Sequence, residues 1–346
     1  MSGWRRIGAV LCTGALLSVG SAVLASMPAQ AVTTVSTEAQ LRDAFGNAEE
    51  TSISLSSDIT LTDCESSDID RSSDTSINVE GNGHTITQTC PNSRIFFNSG
   101  QGAITVDDIG LTGGDLTDSG GGAIFNDGLV TVTNSSLYGN SGDEGGAVFS
   151  FNSIVVKNST VTGNTATSSG GGLAAPEVTI VYATVAGNTA PKGSNIEIRS
   201  VDTINAFASV VGQPLGGGEN CHFEQSVSTD SSGYNYSDDA SCGFTNTATG
   251  DHETVADLGL GAATDAARPT MTPADGSPLI DAVPTAACQD DGATGITTDE
   301  LGATRPSGNG CDTGAIEVVA TAVTTTTEAP TTTVATPVAV QPQFTG

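Results

Sequence analysis

The sequence predicts an all-β chain built as a right-handed parallel β-helix, with a helical cap before the first coil and a disulfide-bearing region after the last. Three observations carry this expectation. Short runs rich in Val, Ile and Thr alternate apolar and polar residues. Asparagine and glycine recur between these runs at a fixed spacing. Six cysteines beyond residue 31 make an even set.

The repeat is clearest in Asn134-Ser135-Ser136-Leu137-Tyr138-Gly139-Asn140, Asn158-Ser159-Thr160-Val161-Thr162-Gly163-Asn164 and Tyr182-Ala183-Thr184-Val185-Ala186-Gly187-Asn188, which follow one another every 24 residues. Ahead of them lie β-rich runs at 129–132, 154–156 and 178–181, and between them Gly-Gly pairs at 121–122, 145–146 and 171–172. The same pattern extends at looser spacing to 53–55, 77–79, 104–106 and 208–212, for about seven turns. A unit of this size cannot bury its own apolar face and must stack on its neighbours. Alternation in Val130-Thr131-Val132 sends every second side chain to one face. Stacked coils place Asn140, Asn164 and Asn188 above one another, where their amides can bond along the stack as a structural ladder.

Before the first coil, Leu41, Ala44, Phe45 and Ala48 recur at helical spacing behind Ser36 or Thr37, a candidate N-cap, with Glu38 in the first turn. Such a helix would cover the open edge of the solenoid. Residues 1–31 join Arg5 and Arg6 to an apolar stretch and a small-residue ending, Ala29-Gln30-Ala31, and are read as a secretory signal peptide. The expected division is therefore 1–31 signal peptide, 32–52 cap, 53–215 β-helix, 216–317 C-terminal region and 318–346 a Thr- and Pro-rich disordered tail.

With 39 acidic and 10 basic residues the chain carries a formal charge of -29. Losing Arg5 and Arg6 with the signal peptide leaves 39 acids and 8 bases, or -31. Such a charge is repelled by phosphate backbones and excludes nucleic-acid binding. The mature chain holds no transmembrane segment. In an exported chain Cys64, Cys90, Cys221, Cys242, Cys288 and Cys311 point to disulfides, and nearest-neighbour pairing (64 with 90, 221 with 242, 288 with 311) keeps each bond within one segment. Zinc is disfavoured: no Cys-x-x-Cys occurs, and His222 is the only histidine beside a cysteine.

Leu137-Tyr138-Gly139-Asn140 followed by Gly145-Gly146-Ala147-Val148 resembles the repeat of polymorphic outer-membrane proteins, with Leu137, Val161 or Val185 where that repeat has phenylalanine. A second stretch comprises Gly233-Tyr234-Asn235-Tyr236-Ser237, Ser241-Cys242-Gly243-Phe244, Gly276-Ser277-Pro278-Leu279-Ile280-Asp281-Ala282, Gly302-Ala303-Thr304-Arg305-Pro306 and Cys311-Asp312-Thr313-Gly314-Ala315-Ile316-Glu317. It resembles the bacterial choice-of-anchor Q domain of secreted β-helix proteins. The resemblances cover roughly residues 100–317. They imply a pectin-lyase-like solenoid and a surface location, and supply no catalytic motif. Pro342-Gln343-Phe344-Thr345-Gly346 resembles a sortase signal with one residue too many between proline and threonine.

No catalytic, cofactor-binding or metal-binding residue is assigned. Asp107 and Asp108 are the nearest carboxylate pair in the coils, but neighbouring strand residues face opposite sides, so only one reaches a groove unless a bend intervenes. Asp63, Glu65, Asp68 and Asp70 could offer oxygens to Ca²⁺ but lack a regular Gly- and Asp-bearing nonapeptide, and read as a solvated loop. His84 reads as a solvated or ladder histidine. The only tyrosines are Tyr138, Tyr182, Tyr234 and Tyr236, and Trp4 falls in the signal peptide, so no broad aromatic platform for sugars is expected, although one of Tyr138 and Tyr182 should be exposed. A Thr-x-Thr array begins at Thr131 and Thr133 but meets Val155 and Lys157 a turn later. The expected role is a secreted or cell-surface structural or adhesive module, with an extracellular glycan or surface protein as partner. A polysaccharide lyase or glycoside hydrolase on the same scaffold is the rival reading.

Overall fold

The computed structural model describes residues 32–200, 203–225, 229–264, 266–289 and 292–319. The predicted signal peptide and nearly all of the predicted tail lie outside them. The described chain winds into a parallel β-solenoid of about seven coils with three sheet faces, holding nine, eight and seven strands among the described residues. One coil shows the plan: Val130–Thr133 on the first face, Ser136–Tyr138 on the second and Val148–Ser150 on the third. A three-stranded sheet of Asp115–Leu116, Ser141–Glu144 and Thr165–Ser169 lines the corner between the second and third faces.

Register follows the alternation. On the first face Ile77, Ile104, Val130, Ile154, Val178 and Ile204 stack inward. Ile86, Leu111, Leu137, Val161, Val185 and Val211 do so on the second. The third contributes Ile69, Phe96, Ile124, Val148, Leu173 and Ile196. All are at most 2% exposed and form one aliphatic core. The 208–212 run does not continue the first face: Val210–Gly212 lies on the second, and Ile204–Phe207 supplies the first-face strand of that coil. Both runs are apolar, so composition alone did not separate them.

Five successive first-to-second corners each turn on one left-handed residue. Asp108, Asn134, Asn158, Tyr182 and Ala208 have φ of 48–49°, a conformation that Asn and Asp tolerate best. At the second-to-third corner Asn140 Nδ2 donates to Asn164 Oδ1 and Asn164 Nδ2 to Asn188 Oδ1, both at 3.0 Å. The run continues through Asn195 at 2.9 Å and Asn220 at 2.7 Å. A second amide pair, Asn98 to Asn126 at 3.0 Å, sits at the third-to-first corner. These amides also satisfy corner backbone that no strand reaches; Asn140 Oδ1, for example, accepts from Gly114 N.

The helix Glu38–Gly46 covers the first coil; Thr37 is its N-cap, accepting from Gln40 N, and Phe45 stacks on Phe96 with centroids 4.6 Å apart. Cys64 is bonded to Cys90, Cys221 to Cys242 and Cys288 to Cys311.

After the last coil the chain turns back and straps the second face. Apart from Tyr138, that face presents small outward residues in two columns: Thr85, Gly110, Ser136, Thr160 and Thr184, and Thr87, Thr112, Tyr138, Thr162 and Ala186. Thr85 Oγ1 and Tyr138 OH donate to Ala267 O at 3.1 and 2.7 Å, Ser136 Oγ to Pro269 O at 2.6 Å and Thr160 Oγ1 to Glu300 Oε2 at 2.5 Å. Ala315 N donates to Thr184 Oγ1 at 3.0 Å. Gly110 makes the crossing possible, because a Cβ there would lie 2.6 Å from Thr85 Oγ1 and 3.1 Å from Arg268 Cγ. These hydroxyl-bearing columns lie on a different face from Thr131 and Thr133, whose register partners are Val155 and Lys157, and the chain's own C-terminal region covers them.

The strap is locked by Arg305. Its fully buried guanidinium donates to Asp312 O and Gly314 O, lies 3.4 Å from Glu317 and stacks 4.1 Å from the centre of the Tyr182 ring. Burial pushes the Glu317 carboxyl up against the pull of this partner and of two backbone N–H donors. Tyr182 is fully buried and Tyr138 half-buried, so neither is the exposed tyrosine expected from sequence; the strap covers both.

Candidate functional site

The third face carries the largest outward side chains. Its outward column reads Asp70, Phe97, Phe125, Phe149, Ala174, Glu197 and His222, one residue per coil in parallel register. Strand stacking brings successive rungs to roughly 4.8 Å, close to the spacing at which rings pack face to face. Phe97 and Phe125 have centroids 5.2 Å apart, and Phe125 and Phe149 5.3 Å at an interplanar angle of 13°.

Arginines cap this stack at both ends. The Arg94 guanidinium lies 5.0 Å from the centres of both Phe97 and Phe125, and that of Arg199 lies 4.9 Å from Phe149. Each has an acidic partner, Asp68 at 3.5 Å for Arg94 and Glu144 at 3.3 Å for Arg199. Phe149 is closed in from the corner by Gly120, where a Cβ would sit 2.6 Å from its Cγ. Phe151 stands edge-on to Phe125 and Phe149, at 83° and 88°, and remains 56% exposed. Among the described residues it is the only exposed Phe, Tyr or Trp.

Above the rings the column turns acidic. Glu197 is buried, and its Oε2 has no hydrogen-bond partner. Burial, reinforced by Glu224 and Glu144, pushes its pKa up to about 8 against the opposing pull of Lys192 and Arg199. A neutral carboxyl is therefore the stable form below that pH. In the next coil His222 Nδ1 lies 2.7 Å from Glu219.

The residues singled out from sequence lie elsewhere. Asp107 and Asp108 share a cleft of about 420 Å³ with Asn134, Arg268, Asp299 and Glu300. The left-handed turn at Asp108 is the bend that aims both carboxyls the same way. All four acids there have structural partners. Asp108 pairs with Arg268, and Asp107 accepts from Asn134 Nδ2 at 2.8 Å. Asp299 accepts from the backbone N–H groups of Leu301, Ala303 and Glu317, and Glu300 is bonded to Thr160. Burial pushes the Glu300 carboxyl well above its ordinary value. Asp63, Asp68 and Asp70 line a cleft of about 690 Å³ beside the cap, where Arg42 bonds to Glu38 and to the Ser67 and Asp68 carbonyls. Among the described residues no group of three or more His, Cys, Asp or Glu is placed to hold a metal ion. His84 Nδ1 sits 3.2 Å from Asp58.

Sequence reasoning that measures a platform by tryptophan and tyrosine misses the aromatic column. The signal was present: Phe97, Phe125 and Phe149 each follow an inward apolar residue and precede Asn98, Asn126 and Ser150. Arg94 and Arg199, far apart in the sequence, are brought onto the rings by the coil geometry.

No curated protein and no solved structure matches the chain. The family model described as a pectate lyase-like adhesive domain matches residues 32–206, which is 175 of 346 residues. That span takes in the helical cap, the aromatic column and all but the last coil. On this match, with the parallel solenoid it covers, the chain belongs to the pectate lyase-like adhesive domain family.

Proposed function

We propose that the chain acts outside the cell as an adhesive module, exported through residues 1–31 and attaching through the third face of its solenoid. The observation that carries this reading is the difference between the faces. The second is occupied by the chain's own strap, whereas the third presents a rigid ring column with Phe151 left uncovered. Membership of an adhesive family and three disulfides support an extracellular address. The strong negative charge keeps such a module soluble and apart from nonspecific anionic surfaces.

The resemblance of residues 233–317 to the choice-of-anchor Q domain supports retention at a surface, with residues 318–346 as the tether. Arg305 and Glu317, which belong to that resemblance, have a structural part here, fastening the strap over Tyr182. Coil repeats like those of polymorphic outer-membrane proteins are in keeping with the same role.

The test is retention under flow. Beads coated with the full mature chain are passed over bacterial and animal cell layers and compared with albumin-coated beads, while polymer breakdown is followed in the same buffers. Retention above the albumin level without turnover is the expected result. Equal retention, or release of reducing ends from any glycan, would overturn the reading.

A further inference from the structure

We infer that Phe151, with Arg199 and Glu144 beside it, forms a binding site for a neutral saccharide. This inference rests on the adhesive reading and names the ligand class for that same face.

The ring is held rather than merely exposed. Phe151 stands perpendicular to Phe125 and Phe149, centroids 5.7 and 5.0 Å away, and the Arg199 guanidinium lies 6.0 Å from its centre. A ring fixed in this way loses little conformational freedom when a ligand covers it. Around it the surface is polar. Arg199 and Glu144 each keep about a quarter of their side-chain surface in water, 26% and 26%, while paired at 3.3 Å. A guanidinium has five N–H donors and a carboxylate about four acceptor positions, so one mutual contact leaves both able to bond further. Asn152 is exposed next to the ring. One apolar platform rimmed by paired planar donors and acceptors matches a pyranose, whose C–H face is apolar and whose rim is hydroxyl.

Charge selects the neutral class. The Arg199–Glu144 pair cancels locally, and Lys192 and Glu224, which like that pair act on Glu197, carry opposite signs. Beyond them the chain is strongly negative, with 39 acids against 10 bases, so a polyuronate or sulfated chain would be repelled. A protein partner fits poorly. A stable interface buries about 800 Å² on each side around an apolar centre, whereas here a single exposed phenyl is bordered by charges.

The experiment is affinity electrophoresis of the full mature chain through gels containing mixed-linkage β-glucan, yeast mannan, dextran, β-1,4-galactan or polygalacturonate, followed by calorimetry with the best neutral polymer. Retardation by at least one neutral polymer and none by polygalacturonate is expected. Phe151→Ala should weaken binding about tenfold, the scale of losing one aromatic anchor. Loss of the edge contacts with Phe125 and Phe149 should lower the melting temperature by only about 2–4 °C, so the variant is fully folded under the assay conditions. Phe151→Trp should strengthen binding. Absence of retardation by all four neutral polymers, equal retardation of Phe151→Ala, or preference for polygalacturonate would each overturn the inference. Beads that are retained on cells while no polymer binds, or whose retention is lost after protease treatment of the cells, would overturn the saccharide and leave the adhesive reading standing. Failure of both assays would remove both.

Discussion

Replacing Glu197 by glutamine tests the electrostatics of the third face directly. In the folded chain this carboxyl titrates at about 8 rather than 4.5, because it is buried and faces Glu224 and Glu144. Between those two values the unfolded chain has released a proton that the folded chain retains, so rising pH favours unfolding. Stability contributed by this group is complete below about pH 4.5, falls through the interval and is fully lost above about pH 8. Taken whole, the rise from 4.5 to about 8 corresponds to about 5 kcal/mol. Glu224 and Lys192 reach water and the buried carboxyl can relax toward Arg199 when it ionises, so about 2 kcal/mol of this is expected to appear in stability. Glutamine keeps the shape and cannot ionise. Urea unfolding at intervals from pH 4 to 9 should give coincident stabilities for the two proteins at the acid end. At the alkaline end the variant should be ahead by about 2 kcal/mol, or about 4 °C in melting temperature. Lys192, Arg199, Glu144, Glu224 and His222 are common to both proteins, so their titrations largely cancel in the difference. Parallel profiles, or a variant less stable at every pH, would refute the assignment of Glu197 as a buried neutral acid.

Other perturbations address the frame around that face. Asn164→Ala removes an amide that bonds Asn140, Asn188 and the carbonyls of Leu137 and Thr162, and should cost about 2–3 kcal/mol in urea unfolding by leaving buried groups unpaired. Arg305→Met keeps much of the volume over Tyr182 but strands Glu317 without its counter-charge. A loss of about 3 kcal/mol is expected, with faster proteolysis confined to residues 252–317. Pairing Cys288→Ser with Cys311→Ser opens a loop closed across 23 residues and should lower stability by about 3 kcal/mol, read as a shift of the urea midpoint.

The coil repeat was legible because the residues that define it face constraints that sequence displays. Inward positions must be aliphatic, and corner positions must be Asn or Gly to bond the stack or take a left-handed turn. Asn140, Asn164 and Asn188 therefore announce themselves at a constant interval. Asn195 and Asn220 carry the same ladder onward but are hidden, because Asn195 lies only seven residues beyond Asn188, at the far end of the same corner. The strap was illegible for a different reason. Its contacts join residues up to 182 positions apart, such as Thr162 with Met271 and Thr85 with Ala267, and its seat is made largely of small hydroxyl side chains that any solvated strand could carry. Tyr182 illustrates the consequence: the sequence predicts that it or Tyr138 is exposed, and only the strap accounts for its burial. Phe97, Phe125 and Phe149 lie between these cases, periodic in the sequence but informative only once their rungs are known to stack.

Outward positions on a solenoid are not dictated by the core, so their chemistry reports what each face meets. On the second face Thr, Ser and Gly are small enough for a second layer of chain to approach and polar enough to bond it, and the strap fills that place. The same reasoning applied to the third face gives a different answer. Stacked phenyl rings expose apolar surface that a merely solvated face would not need, yet no segment of the described chain covers Phe151. Arg94 and Arg199 lie against the outer rings of the stack and hold it in one arrangement. Because the strap lies on the second face, a ligand can reach these rings without displacing any part of the fold. Binding there should therefore leave the unfolding transition of the strap unchanged, whereas a ligand that needed the second face would have to compete with Arg305 and its buried partners.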